Sequence, residues 1–198
     1  MSEYQFYEFR AIDKPLSQKD KNKIGSWSSR ANPTNTGVVF TYSYGDFPKN
    51  GIKVIEKYFD AMFYISNWGT TQLVFKLPNN LIDIKQLKHY CIRDGISLIE
   101  KPDFTILDIC ISDEEGGGRW IEGEGWLASL VSLRNDILSG DYRCLYLIWL
   151  KVGTEGAPNE WSDVSMESIE PKVPCNLKLL NPALLDLVEV FEIDKDAI

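Results

Sequence analysis

Residues 63–77, FYISNWGTTQLVFKL, decide the fold class of this chain. Residues 63–65 and 71–77 are rich in aromatic and β-branched side chains, which favour strands. Between them lies Ser-Asn-Trp-Gly at residues 66–69, a turn sequence that ends in glycine. The stretch predicts a β-hairpin, and therefore a sheet whose neighbouring strands are mainly antiparallel.

Upstream of this hairpin, strand and helix patterns alternate. Residues 4–12 and 38–44 contain closely spaced aromatic and β-branched residues and predict two further strands. Ser17 and Asp20 have the spacing of a capping box, so a short basic helix should begin there. Apolar residues recur at helical spacing over residues 51–62, which predicts a second helix.

Downstream, the pattern changes from strands to helices. Residues 96–99 and 104–112 predict two more strands, and residues 113–125 form an acidic stretch with 5 glycines. We expect three helices after it, at residues 126–138, at residues 142–152 and from Asn181 onward, with a long loop at residues 154–174.

These elements predict one α+β domain spanning residues 1–198. Its β-rich part is residues 1–112, with interleaved helices. The acidic loop, residues 113–125, connects this part to the helical part, residues 126–198. We expect a mainly antiparallel sheet covered by helices.

Charge is distributed unevenly along the 198 residues, whose formal net charge is −8. Residues 1–99 contain 13 Lys and Arg against 9 Asp and Glu, whereas residues 100–198 contain 8 against 20. Such asymmetry is typical of proteins that contact a charged partner. The basic candidates for partner binding are Lys19, Lys21, Lys23 and Arg30. Because the net charge is negative, we expect no direct nucleic-acid binding by the free chain.

Several common chemistries lack their sequence signatures. His89 is the only histidine, which excludes sites with two or more imidazoles, and no phosphate-binding glycine motif or nucleophile elbow is present. We therefore predict no cofactor and no metal site.

The sequence also indicates where the protein resides. Four scattered cysteines, no apolar run of membrane-spanning length and no signal-like start predict a cytoplasmic protein that does not associate with membranes.

Asp108 is the strongest candidate for catalysis. It interrupts the apolar strand at residues 104–112, and Asp113 and Glu115 follow just after that strand. A buried carboxylate is costly unless it is paired, and acidic groups at a strand end can chelate a divalent ion. A structural carboxylate satisfied by an arginine or a backbone amide is the simpler interpretation.

Tryptophans in loops suggest recognition instead of catalysis, because indoles are frequent binding hot spots. Trp68 lies in the predicted turn, while Trp120 and Trp161 lie in polar loops. The acidic residues beside Trp120 would suit a partner with a basic surface. The partner-binding candidates in the acidic half of the chain are Trp120, Glu114, Glu115, Glu122, Glu124 and Trp161.

Short strings spread over most of the chain resemble a family of bacterial proteins for which no activity is assigned. They are YEF at residues 7–9 with AID at 11–13, SRA at 29–31, YGDF at 44–47, YFDA at 58–61, NWGT at 67–70 and GEGWLASL at 123–130. The resemblance implies a bacterial, cytoplasmic protein.

From these observations we expect a non-catalytic interaction protein, a subunit or adaptor of a bacterial multi-protein assembly. Two alternatives stay open. One is a metal-dependent hydrolase or nuclease built on the carboxylates near Asp108, and the other is an acidic inhibitor that mimics nucleic acid.

Overall fold

The computed structural model describes residues 4–112, 122–155 and 170–198. In this part of the chain one antiparallel sheet is formed by six strands: β1 (Gln5–Arg10), β2 (Gly37–Tyr42), β3 (Ala61–Ser66), β4 (Thr70–Pro78), β5 (Ile96–Glu100) and β6 (Phe104–Ser112). Their order across the sheet is β2-β1-β3-β4-β6-β5. The predicted α+β class and the predicted antiparallel sheet are therefore confirmed.

Helices cover both faces of this sheet. They are α1 (Gln18–Gly25), α2 (Gly51–Tyr58), α3 (Ile84–Lys88), α4 (Trp126–Leu130), α5 (Ser132–Leu138), α6 (Arg143–Glu155) and α7 (Pro182–Val190). The predicted hairpin is formed by β3 and β4, with Ala61 opposite Phe75. Gly69, at φ 97°, takes the left-handed conformation that this turn requires.

Successive side chains along a strand point to opposite faces of the sheet, and this divides the core into two halves. Phe63, Phe75 and Leu107 pack with residues of α4 to α7 on one face of the sheet. Phe9 and Met62 pack with residues of α1 and α2 on the other face. The N-terminal and C-terminal helices thus lie on opposite sides of the sheet, which stabilises both faces by burying apolar surface.

Two of the predicted helices differ from the observed ones. The predicted helix at residues 51–62 ends at Tyr58, because Phe59 is extended and Met62 already belongs to β3. The predicted helix at residues 126–138 is two helices, α4 and α5, which meet at Val131. The predicted loop at 154–174 starts too early, because α6 continues to Glu155. Residues 156–169 of it lie outside the described residues, and residues 170–174 form neither helix nor strand.

A buried charged network fastens the segment after β1 to the rest of the domain. Asp60 Oδ2 accepts hydrogen bonds from the backbone N–H groups of Ile12, at 2.7 Å, and Asp13, at 3.0 Å, while Asp60 Oδ1 pairs with Lys76 Nζ at 3.0 Å. Arg134 is only 2% exposed and donates to both carboxylate oxygens of Asp13 and to the Lys76 carbonyl. Asp13 and Asp60, which lie in the strings AID and YFDA, therefore have structural roles.

Candidate functional site

Two turns at one end of the sheet present exposed aromatic side chains. Residues 44–47 follow β2, residues 66–69 connect β3 to β4, and we call these two turns together the aromatic end. Tyr44 is 80% exposed and Trp68 is 41% exposed. Gly45, at φ 85°, allows the first turn as Gly69 allows the second.

Hydrogen bonds to the start of β1 hold both turns in place. Gln5 Nε2 donates to Asp46 Oδ1 at 2.9 Å and to the Gly45 carbonyl at 3.3 Å. Tyr4 N donates to Asn67 Oδ1 at 2.8 Å, and Asn67 N donates to the Tyr4 carbonyl at 3.1 Å. Because the two turns share these neighbouring anchors, Tyr44 and Trp68 are presented from fixed positions on the same end of the sheet.

Acidic residues border this end. Asp46, Glu122 and Glu124 are all exposed. The segment around Glu122 and Glu124 is held at the start of β1, since Gly123 N donates to Tyr4 Oη at 3.4 Å. A Cβ atom at Gly123 would lie 2.2 Å from the Phe6 ring, so this close packing requires glycine.

Five of the partner-binding or catalytic candidates fall on parts of the chain that the structure does not describe. Asp113, Glu114, Glu115, Trp120 and Trp161 lie outside the described residues. Glu122 and Glu124 are described and lie beside the aromatic end. The proposed roles of the undescribed residues therefore stay predictions.

The basic candidates lie on α1 and in the connection that follows it. Lys19, Lys21 and Lys23 are on α1, and Lys21 Nζ donates to Asn35 Oδ1 at 2.7 Å. Arg30 is exposed in the connection from α1 to β2 and lines a groove beside β2. Arg30 also lines a smaller pocket with Tyr44, so this basic candidate lies near the aromatic end, whereas the three lysines lie on α1.

Asp108 lies on the face of the sheet that packs against α1 and α2, opposite Val74 on β4 and Ser97 on β5. Its Oδ1 accepts a hydrogen bond from Gln72 Nε2 at 2.8 Å. Burial raises the pKa of Asp108, and the bond from Gln72 partly offsets this effect. Within the described ranges, no group of three or more His, Cys, Asp or Glu side chains could hold a metal ion.

Aromatic and polar side chains form a row beside Asp108. Tyr7, Tyr64, Gln72 and Cys110 are register partners across β1, β3, β4 and β6. The Tyr7 and Tyr64 ring centroids are 4.4 Å apart, and Tyr7 Oη donates to Gln5 Oε1 at 2.9 Å. Burial raises the pKa of both phenols, so both stay neutral at physiological pH. The Tyr7 end of this row is bonded to Gln5, which also anchors the first turn of the aromatic end.

Tyr44 is a candidate that the sequence patterns did not single out. Residues 38–44 predicted a strand, whereas β2 ends at Tyr42 and leaves Tyr44 in the turn. The Gly-Asp-Phe-Pro sequence after Tyr44 is the signal that could have placed this residue in a turn.

No family model, curated protein or solved structure matches this chain. Within the described ranges, no helix has both the length and the apolar character needed to cross a membrane.

Proposed function

We propose that this protein is a non-catalytic interaction protein, acting as a subunit or adaptor of a bacterial multi-protein assembly. The observation that supports this function is the exposure of Tyr44 and Trp68 on two anchored turns. Large aromatic side chains held in fixed positions supply contact area at low entropic cost, which is why they are frequent hot spots.

The acidic border suggests the chemistry of the partner. Asp46, Glu122 and Glu124 would face a partner seated on the aromatic end. Carboxylates around an apolar centre favour a basic partner surface and accelerate association with it. The partner we propose is therefore a protein with a basic surface and a pocket for Trp68.

The experiment is affinity capture from a lysate of the source cells, with three forms of the full chain as bait. The first is wild type and the second combines Tyr44→Ser with Trp68→Ser. The third combines Leu81→Ser with Leu185→Ser, a matched control because these leucines are 53% and 46% exposed and belong to neither turn of the aromatic end. Thermal melting of each bait checks that it is folded.

We expect a protein retained in stoichiometric amount by wild type and by the leucine variant, and lost by the aromatic variant. Retention of that protein by all three baits would reject the aromatic end as the binding surface. The absence of any stoichiometric partner would reject the proposed function itself.

A further inference from the structure

β2 is an edge strand whose outer backbone groups are open. It pairs only with β1 in the described sheet. The bond from Ala11 N to the Thr36 carbonyl, at 2.8 Å, fixes which residues of β2 bond to β1. Successive residues of an edge strand direct their backbone groups alternately toward and away from the neighbouring strand. Val39 and Thr41 therefore direct their N–H and C=O groups away from β1. Within residues 4–112, 122–155 and 170–198, these outward groups form no hydrogen bond.

Among the residues that the structure describes, the first outward position of β2, Gly37, is the one that is capped. Gly37 N donates to Thr34 Oγ1 at 3.0 Å, and Thr34 N donates to the Gly37 carbonyl at 2.8 Å. Natural edge strands are usually protected by a charge, a proline or a bulge, and β2, with the sequence GVVFTY, has no charge or proline. The opposite edge differs, since an ion pair of 2.7 Å between Lys88 and Glu100 lies at the end of β5.

A groove of about 670 Å³ runs beside this open edge. Val39, 42% exposed, provides apolar surface in it. Glu8 is the acidic residue of the lining and is neutralised by Arg10, whose guanidinium lies 2.6 Å from its carboxylate. Arg30 is exposed at the rim and has no ion pair within the described residues. The groove is therefore part apolar and carries a net positive charge.

We propose that β2 receives an extended acidic segment of a partner protein as an additional strand of the sheet. The main chain of the segment bonds to the outward groups of Val39 and Thr41, and its carboxylates face Arg30. A second copy of this chain fits less well, because pairing β2 with β2 would bring two identical basic rims together. The inference rests on the proposed function only in that the chain acts by binding. The β2 edge adjoins the aromatic end, since Arg30 and Thr41 line a smaller pocket together with Tyr44.

Two labelled synthetic peptides test the inference on the full chain. One is an eight-residue peptide that alternates Val with Glu, and the other alternates Val with Lys. Binding is followed by fluorescence anisotropy at two salt concentrations, and the amides that become protected are located by NMR hydrogen exchange. We expect the Val-Glu peptide to bind more weakly at high salt and to protect Val39 and Thr41.

Three variants sharpen the test. Val39→Pro removes the outward N–H at a position where an edge strand tolerates proline, and it should abolish binding. Arg30→Glu should weaken binding about tenfold or more, because it replaces an attractive charge by a repulsive one. Lys178→Glu changes an exposed lysine outside the groove and should leave binding unchanged. Thermal melting checks the fold of each variant, and Arg30→Glu still decides if Val39→Pro is unfolded.

Several outcomes would overturn the inference. They are no binding of the Val-Glu peptide, equal binding of the Val-Lys peptide, protection of other amides, and binding that Arg30→Glu does not weaken. If the free chain forms a dimer and Val39→Pro abolishes that dimer, the β2 edge binds a second copy of this chain instead. Displacement of the peptide by a single-stranded oligonucleotide would indicate that Arg30 binds the phosphate groups of a nucleic acid instead of the carboxylates of a protein. The peptide experiment is read from the amides of Val39 and Thr41 and the capture experiment from the variant at Tyr44 and Trp68, so the two proposals can fail separately.

Discussion

Replacing Asp60 by alanine should destabilise the domain more than any change at its surface. The Asp60 side chain is 7% exposed, and its oxygens accept from two backbone N–H groups and pair with Lys76 Nζ. Alanine offers no acceptor in their place. The N–H groups of Ile12 and Asp13 and the Lys76 ammonium would then lose their partner in a largely buried site.

The magnitude follows from these contacts. A hydrogen bond to a charged group contributes about 1.5–3 kcal/mol, and removing one partner of a buried ion pair costs about 3–5 kcal/mol. The contributions overlap because one carboxylate makes all of them, so we expect a loss of about 4 kcal/mol for Asp60→Ala. Asp60→Asn keeps one acceptor oxygen for the backbone and should lose about 2 kcal/mol.

Urea denaturation followed by circular dichroism measures both losses. Asp103→Ala is the matched control, because Asp103 is an exposed aspartate in the turn between β5 and β6. It should change the free energy of unfolding by less than about 0.5 kcal/mol. A loss for Asp60→Ala within about 1 kcal/mol of this control would refute the network as a stabilising element.

Three further predictions concern titration, thiols and metal ions. Burial raises the pKa of Asp108, so the charged carboxylate destabilises the folded state above that raised pKa. Asp108→Asn should therefore raise Tm at pH 7, and the gain should shrink as the pH falls toward about 3.9. A gain that does not depend on pH would contradict this. Burial raises the pKa of Cys110 to about 11 and also raises those of Cys91 and Cys144, whereas Cys175 is exposed. A disulfide reagent at pH 8 should therefore show a fast phase that Cys175→Ser removes, and a fast phase that persists in this variant would be the contrary result. Millimolar Mg²⁺ or Mn²⁺ should leave Tm unchanged, and a rise that Asp113→Ala abolishes would favour the hydrolase alternative.

The fold was predictable wherever a local pattern determines the structure. The hairpin of β3 and β4 follows from strand-forming residues on both sides of a turn with glycine. The end of α2 was not predictable in this way. Met62 continues the helical spacing of residues 51–59, yet it lies on β3 and packs in the same half of the core as α2. A strand residue that faces a helix can thus imitate the next turn of that helix.

The sequence patterns do not determine which strands and side chains that are distant in the chain lie next to each other. Strand β6 lies between β4 and β5, although β5 precedes it in the chain. The partners of Asp60 and Arg134 come from separate parts of the chain, and residue types alone do not identify them. Of the candidate site, the turn at Trp68 was predicted, whereas the placement of Tyr44 at the same end of the sheet depends on anchors at Tyr4 and Gln5.

Titration calorimetry with the purified captured partner tests the central proposal most directly. Wild type is compared with the variant that combines Tyr44→Ser with Trp68→Ser, and with the variant that combines Leu81→Ser with Leu185→Ser. We predict that the aromatic variant binds about 2 kcal/mol more weakly, a roughly 30-fold higher Kd, while the leucine variant binds like wild type. Equal affinity of a folded aromatic variant and wild type would contradict the account.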